Sequence, residues 1–161
     1  MTSTAIFLRP PAGFDIETPH VKLTAKGRYA VTATAALAAR GPGARVSLPE
    51  LSREHGIPLA FLEQVMGKLR RAGLVESARG SAGGYSLAVD PAELHVSRVI
   101  EAVDIDIRAQ GCSPDTRSAC TGKGERCLTH DLWHALEDHI DSFLGRVSLE
   151  DIVEGRVGVA A

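Results

Sequence analysis

Three cysteines and one histidine, Cys112, Cys120, Cys127 and His130, fall within the polar stretch GCSPDTRSACTGKGERCLTH, which holds every cysteine of the 161-residue chain. Thiolates are soft ligands and a neutral imidazole completes a set of four, which suits a zinc ion or an iron–sulfur cluster. The spacing is C-x7-C-x6-C-x2-H. Free cysteines prefer burial, so three of them gathered in a polar loop beside a histidine point to a metal centre. Zinc sites commonly use close C-x2-C pairs, and no such cysteine pair is present. That tilts the choice toward a cluster and leaves zinc as the alternative. Imidazole ligates only when unprotonated, so metal retention is expected to weaken as pH falls and His130 takes up a proton.

The rest of the chain has to position these ligands and supply a use for them. Hydrophobic content of 44% and charged content of 24% are globular values, enough for one ordinary core or a compact domain with a helical arm. Aromatics are only 4%, so packing must rely on Leu, Val, Ile and Ala. No apolar run approaches the roughly 20 residues of a membrane helix. The first twenty residues carry one arginine and no long apolar stretch, so they do not read as a secretory signal. An odd cysteine count without such a signal points to a reducing cytoplasm and away from structural disulfides.

The net charge of −2 conceals an asymmetry. Residues 21–90 carry ten basic and five acidic side chains, whereas residues 91–161 carry seven and thirteen. A basic half joined to an acidic half fits a DNA-binding segment followed by one that does not touch DNA. Residues 1–20 have two adjacent prolines and no clear period, and are expected to form a loosely ordered tail. A start at Val21 rather than Met1 is a hypothesis that N-terminal sequencing of the native protein settles.

From Thr24 the pattern turns helical. Thr24 can cap a helix in which Tyr29, Ala30, Ala33 and Leu37 recur at three- and four-residue steps up to the Gly41-Pro42-Gly43 breaker. Ser47-Leu48-Pro49-Glu50 reads as a capping box opening a short helix to about His55, stopped by Gly56. A longer helix follows at LAFLEQVMGKLRRAG, with Leu59, Leu62, Val65, Met66 and Leu69 as its apolar stripe. Two helices joined by so short a turn make a helix-turn-helix pattern. Leu74–Ser77 and Tyr85–Ala88 then have strand character around ARGSAGG, a hairpin placed where a wing would be. Arg79 among glycines suits approach to a phosphate or a minor groove. The tip is not an NTPase phosphate loop, because no G-K-[ST] follows.

In the acidic half, HVSRVIEAVD predicts a short helix burying Val96, Val99, Ile100 and Val103. Beyond the cysteine loop, Thr129 is expected to cap a long amphipathic helix whose face carries Leu132, Trp133, Leu136, Ile140, Phe143 and Leu144. Such an arm has little core of its own to cover, so self-association into a homodimer is its expected use. The domain organisation expected is residues 1–20 as an extension, 21–90 as a winged helix-turn-helix domain, 91–155 as cluster loop and dimerisation helix, and 156–161 as a tail. The expected fold class is mainly α with a small β-hairpin wing. His55, His134 and His139 read as solvated or packing residues.

KLTAKGRYAVTA at Lys22–Ala33, LEQVMGKLRRAGLVESARG at Leu62–Gly80, GGYSLA at Gly83–Ala88 and CLTHDLW at Cys127–Trp133 are recognisable together. Over about residues 21–155 the chain resembles the IscR-type iron–sulfur cluster-sensing regulators, a group of bacterial winged-helix repressors. The resemblance implies a cytoplasmic homodimer with one 2Fe–2S cluster per subunit, held by Cys112, Cys120, Cys127 and His130. It implies control of iron–sulfur cluster assembly genes, with double-stranded DNA as partner. It also implies that the second helix of the helix-turn-helix enters the major groove with Glu63 and Gln64 at base edges, and that Arg79 meets the minor groove. A glutamate there can accept from a cytosine amino group and repels unmatched phosphates. Lys22, Arg28, Lys68, Arg70 and Arg71 are the expected phosphate contacts. The chain departs from the group in its longer ligand spacing, in Ser81 and Ala82 at the wing tip, and in Pro58 and Ala60 where hydroxyl residues are usual.

No Ser/His/Asp arrangement, nucleotide loop or paired-carboxylate signature stands out, and four protein ligands leave a single metal no open position for a small-molecule substrate. An enzyme is therefore not expected. The rival from another class is a small iron–sulfur or zinc-binding carrier or electron-transfer protein without sequence-specific DNA binding. It would explain the cysteines but not the basic helix-turn-helix and wing.

Overall fold

Helix α1 (Ala25–Ala39) starts where the Thr24 hydroxyl accepts the Gly27 backbone N–H at 3.2 Å, the capping interaction expected from its sequence. The computed structural model describes residues 24–80, 83–103 and 128–158. Ala30, Ala33 and Leu37 are buried along α1, and the small alanines let neighbouring helices approach closely. Arg40, at the C-cap, donates to both Glu54 carboxylate oxygens at 2.7 Å and reaches Glu50 at 3.3 Å. That hydrogen-bonded guanidinium holds the Glu54 carboxyl below its ordinary range.

Helix α2 (Leu48–His55) is capped by Ser47, whose hydroxyl accepts from the Glu50 N–H at 3.3 Å. The carboxylate of Glu50 is drawn to Arg40 across the helix pair, so the Ser47 motif works as a side-chain cap whose acid serves a tertiary ion pair. Gly56 ends α2 in the left-handed conformation at φ 64°, which a side chain would resist. Ser52 donates to the Ile57 carbonyl at 2.7 Å and fixes the three-residue turn. Helix α3 (Leu59–Arg71) then buries Leu62, Val65, Met66 and Leu69 against α1 and α2. Leu59, expected in that stripe, is 40% exposed, because it lies in the first turn before the helix reaches the core.

Strands β1 (Val75–Ala78) and β2 (Gly84–Leu87) form an antiparallel hairpin in which Val75 pairs with Leu87 and Ala78 with Gly84. The observed strands start and end one residue away from the sequence expectation. Val46, from the α1–α2 connection, exchanges two 2.9 Å backbone bonds with Tyr85 and adds a one-residue third strand. The hairpin is thereby fastened to the helical body. Buried Ser86 donates to Glu76 across the ladder at 3.2 Å.

Helix α4 (Val96–Val103) buries Val96, Val99, Ile100 and Val103, the four positions its pattern predicts. Helix α5 (His130–Leu144) docks on α4, and Leu144 joins Val96 and Ile100 in a second small apolar cluster. Helix α6 (Leu149–Val153) returns to α1, opened by a reciprocal capping box between Ser148 and Asp151. Leu94, Val99, Val103 and Leu149 share one core with α1, α3 and the wing base, so packing is continuous across residue 90. The fold is a winged helix-turn-helix, mainly α with a β-hairpin. Among the described residues no helix is long and apolar enough to cross a membrane.

Candidate functional site

The outer face of α3 is built by what its inner face buries. With Leu62, Val65, Met66 and Leu69 fixed in the core, 3.6-residue periodicity turns Ala60, Glu63, Gln64, Arg70 and Arg71 outward, and all five are exposed. Gly67 lies on the same side, and a Cβ placed there would meet nothing within 4 Å. Pro58 at the N-cap makes no side-chain cap, and its carbonyl accepts from the Phe61 and Leu62 N–H groups at 2.9 and 3.0 Å. Arg28 is exposed in the first turn of α1. Lys22, the Ser81 and Ala82 of the wing tip, and the three cysteines lie outside the described residues.

Arg79 is exposed just past β1, where Gly80 adopts φ 109° and the Gly83 N–H donates back to its carbonyl at 2.9 Å. A Cβ at Gly83 would lie 2.8 Å from that carbonyl oxygen, so this turn accepts only glycine without moving. Arg70 donates through Nη1 to the Ser77 hydroxyl at 3.2 Å and links α3 to β1. Glu63, Gln64, Arg70, Arg71 and Arg79 are thus carried on one rigid unit of helix and hairpin.

Lys68 is placed differently. Its ammonium donates to the Val103 carbonyl at 2.7 Å, and the side chain is half-buried between α3 and α4. The expectation of a solvent-facing phosphate contact did not foresee this, because its backbone partner is 35 residues away in sequence. The Val46–Tyr85 bridge escaped sequence reading for the same reason.

His130, the one expected ligand among the described residues, is the first residue of α5 and is 6% exposed. Its ring lies 6.3 Å from that of His134, whose Nδ1 is 3.0 Å from the Asp138 carboxylate. Thr129 stands at the N-cap, but its hydroxyl accepts the Trp133 indole N–H at 3.1 Å instead of capping the backbone. Trp133 is therefore a packing residue of this turn. Among the described residues no three His, Cys, Asp or Glu side chains gather as a metal site.

Residues 23–155 match the family model described as Rrf2, iron-dependent transcriptional regulator. The chain belongs to the Rrf2 family. A relative from Xenorhabdus nematophila, HTH-type transcriptional regulator IscR, is 45% identical over 136 residues, covering 84% of this chain and 81% of that protein. Among solved structures, T. potens IscR superposes with a TM-score of 0.67 at 28% identity, covering 87% of this chain and 93% of that one. CymR, the global cysteine regulator of B. subtilis, superposes with a TM-score of 0.69 at 28% identity, covering 83% and 97%. As an Rrf2 protein the chain is a helix-turn-helix transcriptional regulator, and these relatives are regulators, not enzymes. In Rrf2 terms α2–α3 is the helix-turn-helix and β1–β2 the wing.

Proposed function

We propose that the chain is a cytoplasmic, homodimeric regulator that senses iron–sulfur status through a 2Fe–2S cluster and controls iron–sulfur cluster assembly genes. Double-stranded DNA is its partner, and it takes no small-molecule substrate. Cys112, Cys120, Cys127 and His130 would hold the cluster, three thiolates and an imidazole being a donor set that fits it. The carrying observation is the position of His130. It is buried at the start of α5, the helix whose other end docks on α4 through Ile140 and Leu144, and this supports a link between a ligand held there and the body that carries the DNA-reading face. When bound, the cluster supplies a redox-active, chemically labile group whose presence reports on iron and sulfide supply.

Glu63 and Gln64 are assigned to base edges, Arg79 to the minor groove, and Lys22, Arg28, Arg70 and Arg71 to phosphates. Homodimerisation is assigned to α5. Leu132, Leu136 and Phe143 fall on one stripe of that helix, and Leu132 and Phe143 are 61% and 44% exposed. A contiguous apolar stripe on an arm helix is what a two-fold helical interface buries.

Iron and sulfide analysis with an absorption spectrum on anaerobically purified protein tests the cluster. The wild type should carry iron and acid-labile sulfide in equal amounts with visible absorbance, and replacing all three cysteines should remove both. A triple mutant that keeps the wild-type spectrum and iron content refutes the assignment. Zinc in place of iron in the anaerobic wild type would replace it.

A further inference from the structure

The carbonyl of Val103, the last described residue of helix α4, accepts from the Lys68 ammonium at 2.7 Å. Hydrogen bonds from an ionised donor are stronger than neutral ones. The two ends of this bond sit at informative places. Lys68 follows Gln64 by one helical turn and precedes Arg71 by three residues, so all three share one edge of α3. Val103 is buried in the main core, and Cys112 lies nine positions later in the sequence.

We infer that Lys68 is a positioning residue that ties α4 at Val103 to the DNA-reading helix and does not contact phosphate. This rests on the cluster-sensing reading above, which supplies the reason for a coupling between these two places. A phosphate-seeking lysine needs its ammonium in solvent, and this one is held inside the fold by a backbone acceptor. The carbonyl cannot move relative to α3 without breaking or re-aiming the bond. Displacement of α4 at Val103 is thereby passed to the Gln64–Arg71 edge. Packing alone transmits such motion diffusely, whereas a single directional bond fixes its sign. The bond joins residues 35 apart in sequence.

Two roles for Lys68 separate cleanly in a salt titration. Each phosphate contact steepens the salt dependence of DNA binding by about 0.9 in log Kobs against log salt. Wild type, K68M, K68R and R71Q are titrated with one operator-containing duplex across salt concentrations, each as cluster-loaded and as cluster-free protein. Circular dichroism and thermal melting confirm that each is folded. R71Q, which removes an assigned phosphate contact, should lower the slope by about 1. K68M should keep the wild-type slope. It should also reduce the affinity difference between loaded and cluster-free protein from the range of about 5–150-fold usual for coupled sites to less than about twofold, and K68R should restore it. Amide exchange in α4 around Val103 should quicken in cluster-free K68M and not in K68R.

A slope lowered by about 1 in K68M makes Lys68 a phosphate contact and overturns the inference. A wild-type affinity difference that survives in folded K68M also overturns it and leaves the sensing reading intact. If wild-type protein binds DNA equally with and without its cluster, the sensing reading fails and the coupling falls with it.

Discussion

Gly84 and Gly67 undergo the same substitution with opposite expected signs. Gly84 opens β2, and a Cβ built on it would lie 2.7 Å from the Val46 carbonyl oxygen, 2.9 Å from its carbon and 3.1 Å from its nitrogen. Ordinary carbon–oxygen contacts lie at about 3.3–3.6 Å, so the two backbones must part by about half an ångström or more. Neither is a flexible side-chain end that can swing away. The parting stretches the two 2.9 Å bonds between Val46 and Tyr85 toward the limit of hydrogen bonding. Each is worth about 0.5–1.5 kcal/mol net, and overpacking adds a cost of about 1–3 kcal/mol. A loss of about 0.4–1 kcal/mol of unfolded-state entropy offsets part of this. G84A should therefore destabilise by about 1–5 kcal/mol, toward the upper part of that range because φ 155° at this position also disfavours a side chain.

Gly67 sits mid-helix, and a Cβ there meets nothing within 4 Å. G67A should stabilise by about 0.5–1 kcal/mol, since glycine in a helix interior is that much worse than alanine. Urea unfolding followed by circular dichroism reads both as shifts in the midpoint at constant slope. Hydrogen exchange adds the location, because the Val46 and Tyr85 amides should lose protection in G84A alone. The reasoning is refuted if G84A unfolds within about 0.5 kcal/mol of wild type with those amides still protected. DNA affinity should fall in G84A, because the wing loses its tie to the helical body.

Further outcomes follow from the same geometry. Asp151 is held down to about 2, first by the Ser148 backbone N–H, then by the Ser148 hydroxyl and Arg156. A carboxyl lower in the folded than in the unfolded state stabilises above the ordinary carboxylate range, and that contribution disappears as pH falls from about 4 toward 2. Thermal midpoints of wild type and D151N should therefore converge in acid and separate near neutrality; parallel curves would contradict the assignment. R79Q should flatten the salt dependence of DNA binding by about 1 in slope, and an unchanged slope removes Arg79 from the interface. L132E should shift the chain toward monomer in sedimentation equilibrium, since a buried leucine is worth about 1.5–3 kcal/mol per copy. A fully dimeric L132E would move the interface off this stripe.

The helix-turn-helix was legible because its signals are local. Thr24 and Ser47 cap helices, Gly56 and Gly73 stop them, and the period of Leu62, Val65, Met66 and Leu69 picks out the buried side of α3. Val96, Val99, Ile100 and Val103 were readable for the same reason. Thr129 shows where local reading stops. The residue type and position are those of a cap, yet the Trp133 indole one turn on competes for the same oxygen. Glu50 shows it again, since Arg40 outbids the box geometry from ten residues away. On α5 the apolar stripe was visible, but not which part of it is covered within the chain: Leu144 is, and Leu132 is not.

For the candidate site the division is sharper. Residue types alone suggested a candidate ligand set and a basic face, because thiolate chemistry and charge are properties of side chains and need no fold. What joins the two halves is not visible in any motif. The charge asymmetry suggested a DNA-binding segment followed by one that does not touch DNA, and Leu94, Val99, Val103 and Leu149 lie in one core with the helices of the basic half. His130 opens α5, the other end of that helix docks on α4 through Leu144, and α4 is packed on α3 and bonded to it through Lys68. Small displacements in close-packed interiors are passed on because the packing has few alternative arrangements. The acidic half thus supplies walls of the core that orients α3.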